Sequence, residues 1–451
     1  MKLPRLTIPI NNASKIAATV VAIILILVPF QAFLTVIASD ISGGYEYWRL
    51  WKEMLLIAIT PIVLLVVWQD RTLWQRMQTG WLFWAMICYI LLHIGLGLVA
   101  LAKGQVNSYA LLYALTINLR LVVIYIFAWV LASGNQWLKL YWKRLLLWPA
   151  ALVVAFGLLQ ATVLPYNFLE RFGYGPATVA AYQTVDEKLD FIRIQSTLRG
   201  ANPFGAYLVL VAAGLLVLLQ RAHAERRRNL KLIAASLVVV FVLFNTYSRS
   251  AYIGLAVTIV AAVILAVRNR QERKWLAVSL LVVAIIAGGL FATFRTNDQL
   301  ENTLFHTNED STSSVSSNEQ RLSYLQDGLH DVVTEPFGRG PGTAGPASLH
   351  NLQPGRIAEN YYIQVAQETG WLGLGLFVAI IVMVAQRLWR RRQDPLARAL
   401  LISLAGISFI NLVQHAWTDD TLGLLWWGLA GIALASSQTS TKKSAKPKQD
   451  T

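Results

Sequence analysis

Arg193, Arg249 and Arg321, followed in the chain by Glu359, are residues of types that can hold an oxyanion and take up a proton. A guanidinium fork matches phosphate or carboxylate oxygens and stays ionised beside lipid. A positioned carboxylate can act as a general base or orient a ligand. What singles these residues out is the side of the chain on which they fall, and that side is set by the elements around them.

Hydrophobic residues make up 56% of the 451 and charged residues only 14%, too little charge to cover a soluble surface. A bilayer span takes roughly 20 apolar residues. About twelve such stretches are predicted, near 17–38, 54–68, 81–102, 110–132, 145–163, 203–220, 230–245, 250–268, 275–294, 370–386, 399–414 and 421–437. Basic residues crowd every second gap, as in Lys139, Lys143 and Arg144, then Arg226, Arg227, Arg228 and Lys231, then Arg390, Arg391 and Arg392. Positive charge in short loops stays in the cytoplasm. Both termini are therefore expected inside a cytoplasmic membrane, with the odd-numbered gaps outside. The outer gaps are on balance acidic, so each arginine kept there needs a reason.

The excess of 39 Lys+Arg over 24 Asp+Glu would point to nucleic acid only if those residues formed a surface stripe, and they do not. The lipid bilayer is the expected partner instead. Trp48, Trp51, Trp81, Trp142, Trp371 and Trp417 stand near span ends, as interfacial anchors do. The single Cys88 lies within a span and leaves no disulfide or cysteine metal site. The first apolar run lacks a cleavage pattern and reads as a retained helix. The expectation is an all-α integral membrane protein of about 12 transmembrane helices. Residues 1–163 would hold helices one to five, 164–202 an outer loop, and 203–294 helices six to nine. Residues 295–369 would form a large outer loop, 370–437 helices ten to twelve, and 438–451 a disordered cytoplasmic tail.

The first outer loop carries Arg193 and Arg199 and ends at Asn202-Pro203, where proline suits a first helical turn. The second begins polar and Ser/Thr-rich. It then reads as an amphipathic helix, with Leu322, Leu325, Leu329 and Val332 at 3–4 spacing and Ser317 to Gln320 as a capping box. Pro336 stops that helix, a glycine-rich turn follows, and Glu359-Asn360 opens a helix that enters the tenth span.

These pieces, in this order, resemble the O-antigen ligase and polymerase superfamily of bacterial envelope glycosyltransferases over about residues 190–430. Arg193-x-x-Ser196-Thr197 with Asn202-Pro203 resembles the family's Arg-x-x-Ser/Gly-Thr…Asn-Pro segment. Ser248-Arg249-Ser250-Ala251 is similar to its Ser-Arg-Gly/Ser-Ala turn, and Arg321-x-x-Tyr324 to its Arg-x-x-aromatic helix. Pro336-Phe337-Gly338-Arg339-Gly340-Pro341-Gly342 is similar to its Pro-x-x-Gly-x-Gly turn. Glu359-Asn360-x-Tyr362, continuing to Glu368-x-Gly370, resembles its His-Asn-x-(Tyr/Leu)…Glu-x-Gly. Ligases carry histidine where this chain has Glu359. His350-Asn351, nine residues earlier, keeps the letters and loses the spacing, so both Glu359 and His350 stand as candidates for that role. The exchange fits a polymerase, or a more distant branch, better than a strict lipid A-core ligase.

The resemblance implies a GT-C-like fold, a polyprenyl-diphosphate-linked glycan as donor and a glycan or lipid hydroxyl as acceptor, with no cofactor. Glu359, Arg249 and Arg193 are then the expected catalytic residues. Arg321, Arg199, Asn360, Arg120 and His350 are expected to bind substrate, with arginines in place of a metal. Fixed donors aimed at developing charge are worth ~3–4 kcal/mol each. Bland alternatives stand beside these roles. Arg249 could cap a helical hairpin or snorkel to headgroups, Arg193 could anchor at headgroups, Arg321 could be solvated, and Glu359 could be a first-turn acid favoured by the helix dipole. Glu368 is expected to brace structure, and His306, His330 and His415 to be structural. Arg120 sits near the middle of a span, where a charge costs ~2.5–3.5 kcal/mol on insertion scales. A diphosphate contact and a pair with Asp419 or Asp420 are both open for it. A transporter of lipid-linked saccharides is the competing class. Transporters place polar residues at the midplane and show repeats, whereas here the polar residues lie in outer loops.

Overall fold

Apolar runs in a bilayer must satisfy their backbone groups internally, so they fold as helices. The computed structural model describes residues 10–185, 188–226, 229–266, 317–352 and 354–435. Helices α1 (Ile10–Leu27) and α2 (Gln31–Ser42) are joined by a 3₁₀ turn at Pro29. Then come α3 (Trp51–Gln69), α4 (Trp81–Ala102), α5 (Ser108–Gly134) and α6 (Trp142–Thr162). A short antiparallel hairpin, β1 (Gln183–Val185) with β2 (Lys188–Arg193), precedes α7 (Ala201–Ala224), α8 (Leu230–Phe244) and α9 (Arg249–Ala266). The amphipathic α10 (Ser317–Thr334) leads to α11 (Tyr361–Arg390), α12 (Pro395–Ile410) and α13 (Asp420–Leu434).

Eight helical stretches among the described residues are long and apolar enough to cross a membrane, and α8, α12 and α13 are shorter apolar helices. Every expected span meets a helix except 275–294, which lies outside the described residues. So do the polar start of the second outer loop, the side chains of the Ser317–Gln320 capping box, and the tail.

α13 is apolar on all sides, and every one of its residues is buried, as expected of a helix at the centre of a bundle. It packs on α5, α12 and α1. Trp417, Trp426 and Trp427 lock its N-terminal half with ring centroids 5.3–5.8 Å apart. Trp417, expected as an interfacial anchor, is thus a core residue, and Trp142 is buried as well. Trp48, Trp81 and Trp371 keep exposed faces near helix ends.

α11 breaks at Gly370, whose φ of +66° lies in the left-handed region. The break frees the carbonyls of Gln367 and Glu368, and the glycine-rich turn takes them with the amides of Arg339 and Gly340, each at 2.9 Å. Trp371 N donates back to Pro336 O at 2.9 Å. A side chain at Gly370 would strike that carbonyl at 2.2 Å, so the turn and the kink fit only together. Glu368 fastens both, accepting from Gly342 N at 2.8 Å and from Asn118 Nδ2 on α5 at 2.6 Å. The bracing role expected of Glu368 is the one observed.

Candidate functional site: an arginine cleft

Each piece of the cleft is fixed by buried polar contacts behind it. Beyond β2 the chain turns sharply at Ser196, a non-glycine residue at φ 53°. Ser196 N donates to Gln160 Oε1 at 2.7 Å, Ser196 Oγ to Val153 O at 2.6 Å, and Thr197 Oγ1 to Pro29 O at 2.8 Å. These bonds hold Arg193 at the hairpin end. Its Nε donates to Thr246 O at 3.1 Å and its Nη2 to Asn202 Oδ1 at 2.5 Å. Ile194 N also reaches Asn245 O at 3.2 Å, so the Arg193 segment and the turn that begins α9 form one unit.

That turn carries Tyr247 at φ 48° and places Arg249 in the first turn of α9. A cation there faces the positive end of the helix, a placement that an anion between them would relieve. Burial pushes the Arg193 guanidinium down to about 10, and the charges of Arg321 and Arg249 push it the same way. It stays cationic at neutral pH, crowded by like charge.

Glu359 comes from the opposite wall. Asn360 caps α11, accepting from Tyr362 N at 2.9 Å and Ile363 N at 3.1 Å, and donates to Leu412 O at 2.8 Å. Tyr361 N donates to Asn411 O at 2.9 Å. So held, Glu359 adopts φ 48° and meets Arg321 Nε at 2.9 Å. Such a conformation costs of order 1–3 kcal/mol and persists only where its surroundings over-determine it. Among the described residues, three of the four non-glycine residues at positive φ, Ser196, Tyr247 and Glu359, flank or form this site.

Together these walls enclose a cleft of about 210 Å³ whose lining includes Arg199, Asn202, Arg321, Glu359, His415 and Asp419. Arg199 stands 3.8 Å from Asp419, whose other oxygen caps α13 through Thr421 N and Leu422 N at 3.0 and 3.1 Å. Asp420 reaches below the cleft. It pairs with Arg120, which also donates to Thr418 O, and lies 3.3 Å from Lys52 Nζ. Lys52 is 3.1 Å and Arg120 3.8 Å from Glu53.

The structure therefore brings Arg193, Arg199, Arg249, Arg321 and Glu359 to one place. Arg120 lies beneath them in a buried ion cluster, its charge answered by Asp420. Asn360 is buried and spends its amide on the cap, a use that an Asn just before a helix announces. His350 lies elsewhere, its ring edge-on to Tyr109 and Tyr113 at 5.1 and 4.6 Å, and it does not line the cleft. Of the two candidates for the histidine position, Glu359 is the one beside the arginines. His415, expected to be structural, Asp419, considered only as a partner for Arg120, and Gln414, not singled out, all line the cleft. Their signal was position, in the loop just ahead of α13. Burial and the Arg199 charge hold the His415 imidazole down at about 4, neutral at physiological pH.

Residues 234–378 match a family model described as O-antigen ligase, a segment that contains Arg249, Arg321, Glu359 and Glu368. The chain is also 27% identical over 278 residues to a protein of Salmonella muenchen described as O-antigen polymerase, covering 59% of this chain and 67% of that one. The matches and the mostly helical membrane fold agree in what this chain is similar to: both support the O-antigen ligase and polymerase superfamily.

Proposed function

We propose that the protein transfers a glycan from a polyprenyl-diphosphate-linked donor to a hydroxyl of an acceptor glycan or lipid, at the outer face of the cytoplasmic membrane and without a metal. The observation that carries this reading is the convergence of Arg193, Arg199, Arg249 and Arg321 around the wall that holds Glu359. Four guanidinium groups against Glu359 and Asp419 leave an excess of positive charge, suited to a diphosphate.

In the reaction, the bond from the anomeric carbon to the diphosphate oxygen breaks and a bond from that carbon to the acceptor oxygen forms. The arginines stabilise the charge that grows on the leaving diphosphate. Before substrate arrives, Arg321 is engaged by Glu359. A diphosphate that takes over Arg321 releases the Glu359 carboxylate, which then accepts the proton of the attacking hydroxyl. Asn360 and Arg120 serve this chemistry from behind, one by setting Glu359 and the other by answering the buried charge of Asp420.

The test is transfer in proteoliposomes with EDTA present, using polyprenyl-diphosphate oligosaccharides and candidate acceptors. Longer lipid-linked chains identify a polymerase, and glycan on a non-polyprenyl acceptor identifies a ligase. Arg193→Ala, Arg249→Ala and Glu359→Gln should each lose product while remaining folded. A wild type that moves the lipid-linked sugar across the bilayer without transferring it would discard this reading in favour of a transporter.

A further inference from the structure

α10 borders a second cavity, of about 750 Å³, that shares no lining residue with the arginine cleft. Arg321 faces the cleft. Asp327, His330 and Asp331, further along the same helix, face the cavity. The loop before α11 divides in the same way, with Arg356 on the cavity and Glu359 on the cleft. The far wall is Lys103, Gly104 and Gln105, which follow α4.

The cavity wall is built rather than incidental. Arg356 Nε donates to Asp331 Oδ2 at 2.9 Å and Arg356 Nη2 to Glu335 Oε2 at 3.2 Å, while Gln367 Nε2 reaches Asp331 Oδ2 at 2.7 Å. Glu335 also pairs with Arg339. Asn351 donates to Gln105 O at 2.8 Å and accepts from Asn107 N at 3.2 Å, tying the outer loop to the α4–α5 connection. Against this frame Lys103, Asp327 and His330 stand exposed, with no ion pair among the described residues.

The chemistry follows from the charge count. Lys103, Arg339 and Arg356 are balanced by Asp327, Asp331 and Glu335, so the wall offers fixed donors and acceptors with little net charge. An anion has no reason to prefer it to the arginine cleft. An apolar ligand would strand its polar groups, at a cost of roughly 1–3 kcal/mol for each one left unpaired. A neutral polyhydroxylated ligand satisfies donors and acceptors alike. The volume lies within the ~300–1,000 Å³ range of small-molecule sites. α10 and the loop before α11 border both spaces, the cleft through Arg321 and Glu359 and the cavity through Asp327 and Arg356, so the two are neighbours across shared segments.

We propose that this cavity binds the sugar rings of the acceptor glycan, holding them while the acceptor hydroxyl reaches the arginine cleft past α10. The proposal rests on the glycan-transfer reading, and its test separates the two. Binding of free oligosaccharide repeat units, released by mild acid from the producing cell's own surface polysaccharide, is measured by isothermal titration on the full chain in nanodiscs. This readout needs neither donor nor turnover. The double variant Asp327→Ala/His330→Ala should weaken binding tenfold or more, and Lys103→Ala severalfold. Arg321→Ala should cut transfer about 100- to 1,000-fold and leave oligosaccharide binding in place. In the transfer assay the double variant should raise KM for acceptor with kcat and donor KM unchanged. Wild type that does not bind the oligosaccharide, variants that bind it as wild type does, or a KM shift confined to the donor would each overturn the proposal. Binding that is lost in the cavity variants supports it even if wild type proves unable to transfer.

Discussion

The cleft and the cavity are built from the same segments, yet they answer their charges differently. In the cleft Arg193, Arg199, Arg249 and Arg321 outnumber the acids, and the backbone is bent into left-handed conformations at Ser196, Tyr247 and Glu359. In the cavity each acid of the frame already has a cation, and α10 runs regularly through its wall. An excess of positive charge and local strain are what a binding site for a charged, transient group has to keep. A balanced polar wall suits a neutral ligand bound by shape and hydrogen bonds. Under the proposed glycan transfer, the contrast favours the cleft side of α10 for the reacting groups.

The largest effect expected from breaking this contrast lies beneath the cleft. Arg120→Leu leaves Asp420 and Glu53 facing Lys52 alone among buried side chains. Removing one partner of a buried pair costs roughly 3–5 kcal/mol, and thermal unfolding in detergent should register it as a marked fall in Tm. Arg356→Leu, in the partly exposed frame of the cavity, should cost about 1 kcal/mol, on the scale of a surface pair. Equal losses from the two would remove the distinction between a buried electrostatic foundation and a surface frame.

Next comes the chemistry. Arg321→Ala or Arg249→Ala should cut kcat for transfer about 100- to 1,000-fold, as loss of one fixed donor to a developing anion does. Arg321→Lys should recover part of it, because a single ammonium keeps the charge and loses the fork. Glu359→Gln should lower kcat and leave donor binding intact or tighter, since Arg321 is then free of its ion pair. A Glu359→Gln enzyme with full kcat would remove Glu359 from proton transfer.

How much of this was written in the sequence differs between the two regions as well. The helix at 81–102 has the predicted bounds, because a long apolar run ended by Gly80 and by Lys103-Gly104 leaves one reading. The helix expected to open at Glu359-Asn360 and enter the tenth span does so from Tyr361, and what the sequence did not announce is its kink at Gly370. The cleft arginines were legible because a cation outside an acidic face stands out. Asn360 was misjudged by type, since its amide serves the backbone rather than a ligand. Arg120 and its partner Asp420 lie 300 residues apart, and nothing local says which acid it takes. The cavity was unreadable for the same reason. Lys103, Asp327 and Arg356 are each ordinary in their own segment and form a wall only through the packing of α10 on α11 at Gly328. There an added Cβ would meet Ala358 and Ile363 at 2.8 Å.

The smallest expected effect tests whether the cleft's excess of positive charge is felt by a neutral neighbour. A free imidazole titrates near ~6.5, whereas burial and the Arg199 charge hold His415 at about 4. Between these values the unfolded chain takes a proton that the folded chain refuses, so His415 makes stability fall as pH drops from about 6.5 to 4 and has no effect above that window. His415→Gln keeps a polar side chain beside Arg199 and Asp419 but cannot titrate. Its Tm should therefore decline less than that of wild type as pH falls through the window, and the two slopes should run parallel above it. Adding Arg199→Gln to wild type should weaken the acid sensitivity without removing it, because burial is the larger cause and Arg199 the smaller. If Arg199→Gln removed it entirely, the cationic field of the cleft would dominate over burial. The difference in charge between cleft and cavity would then reach further into the protein than the contacts alone describe.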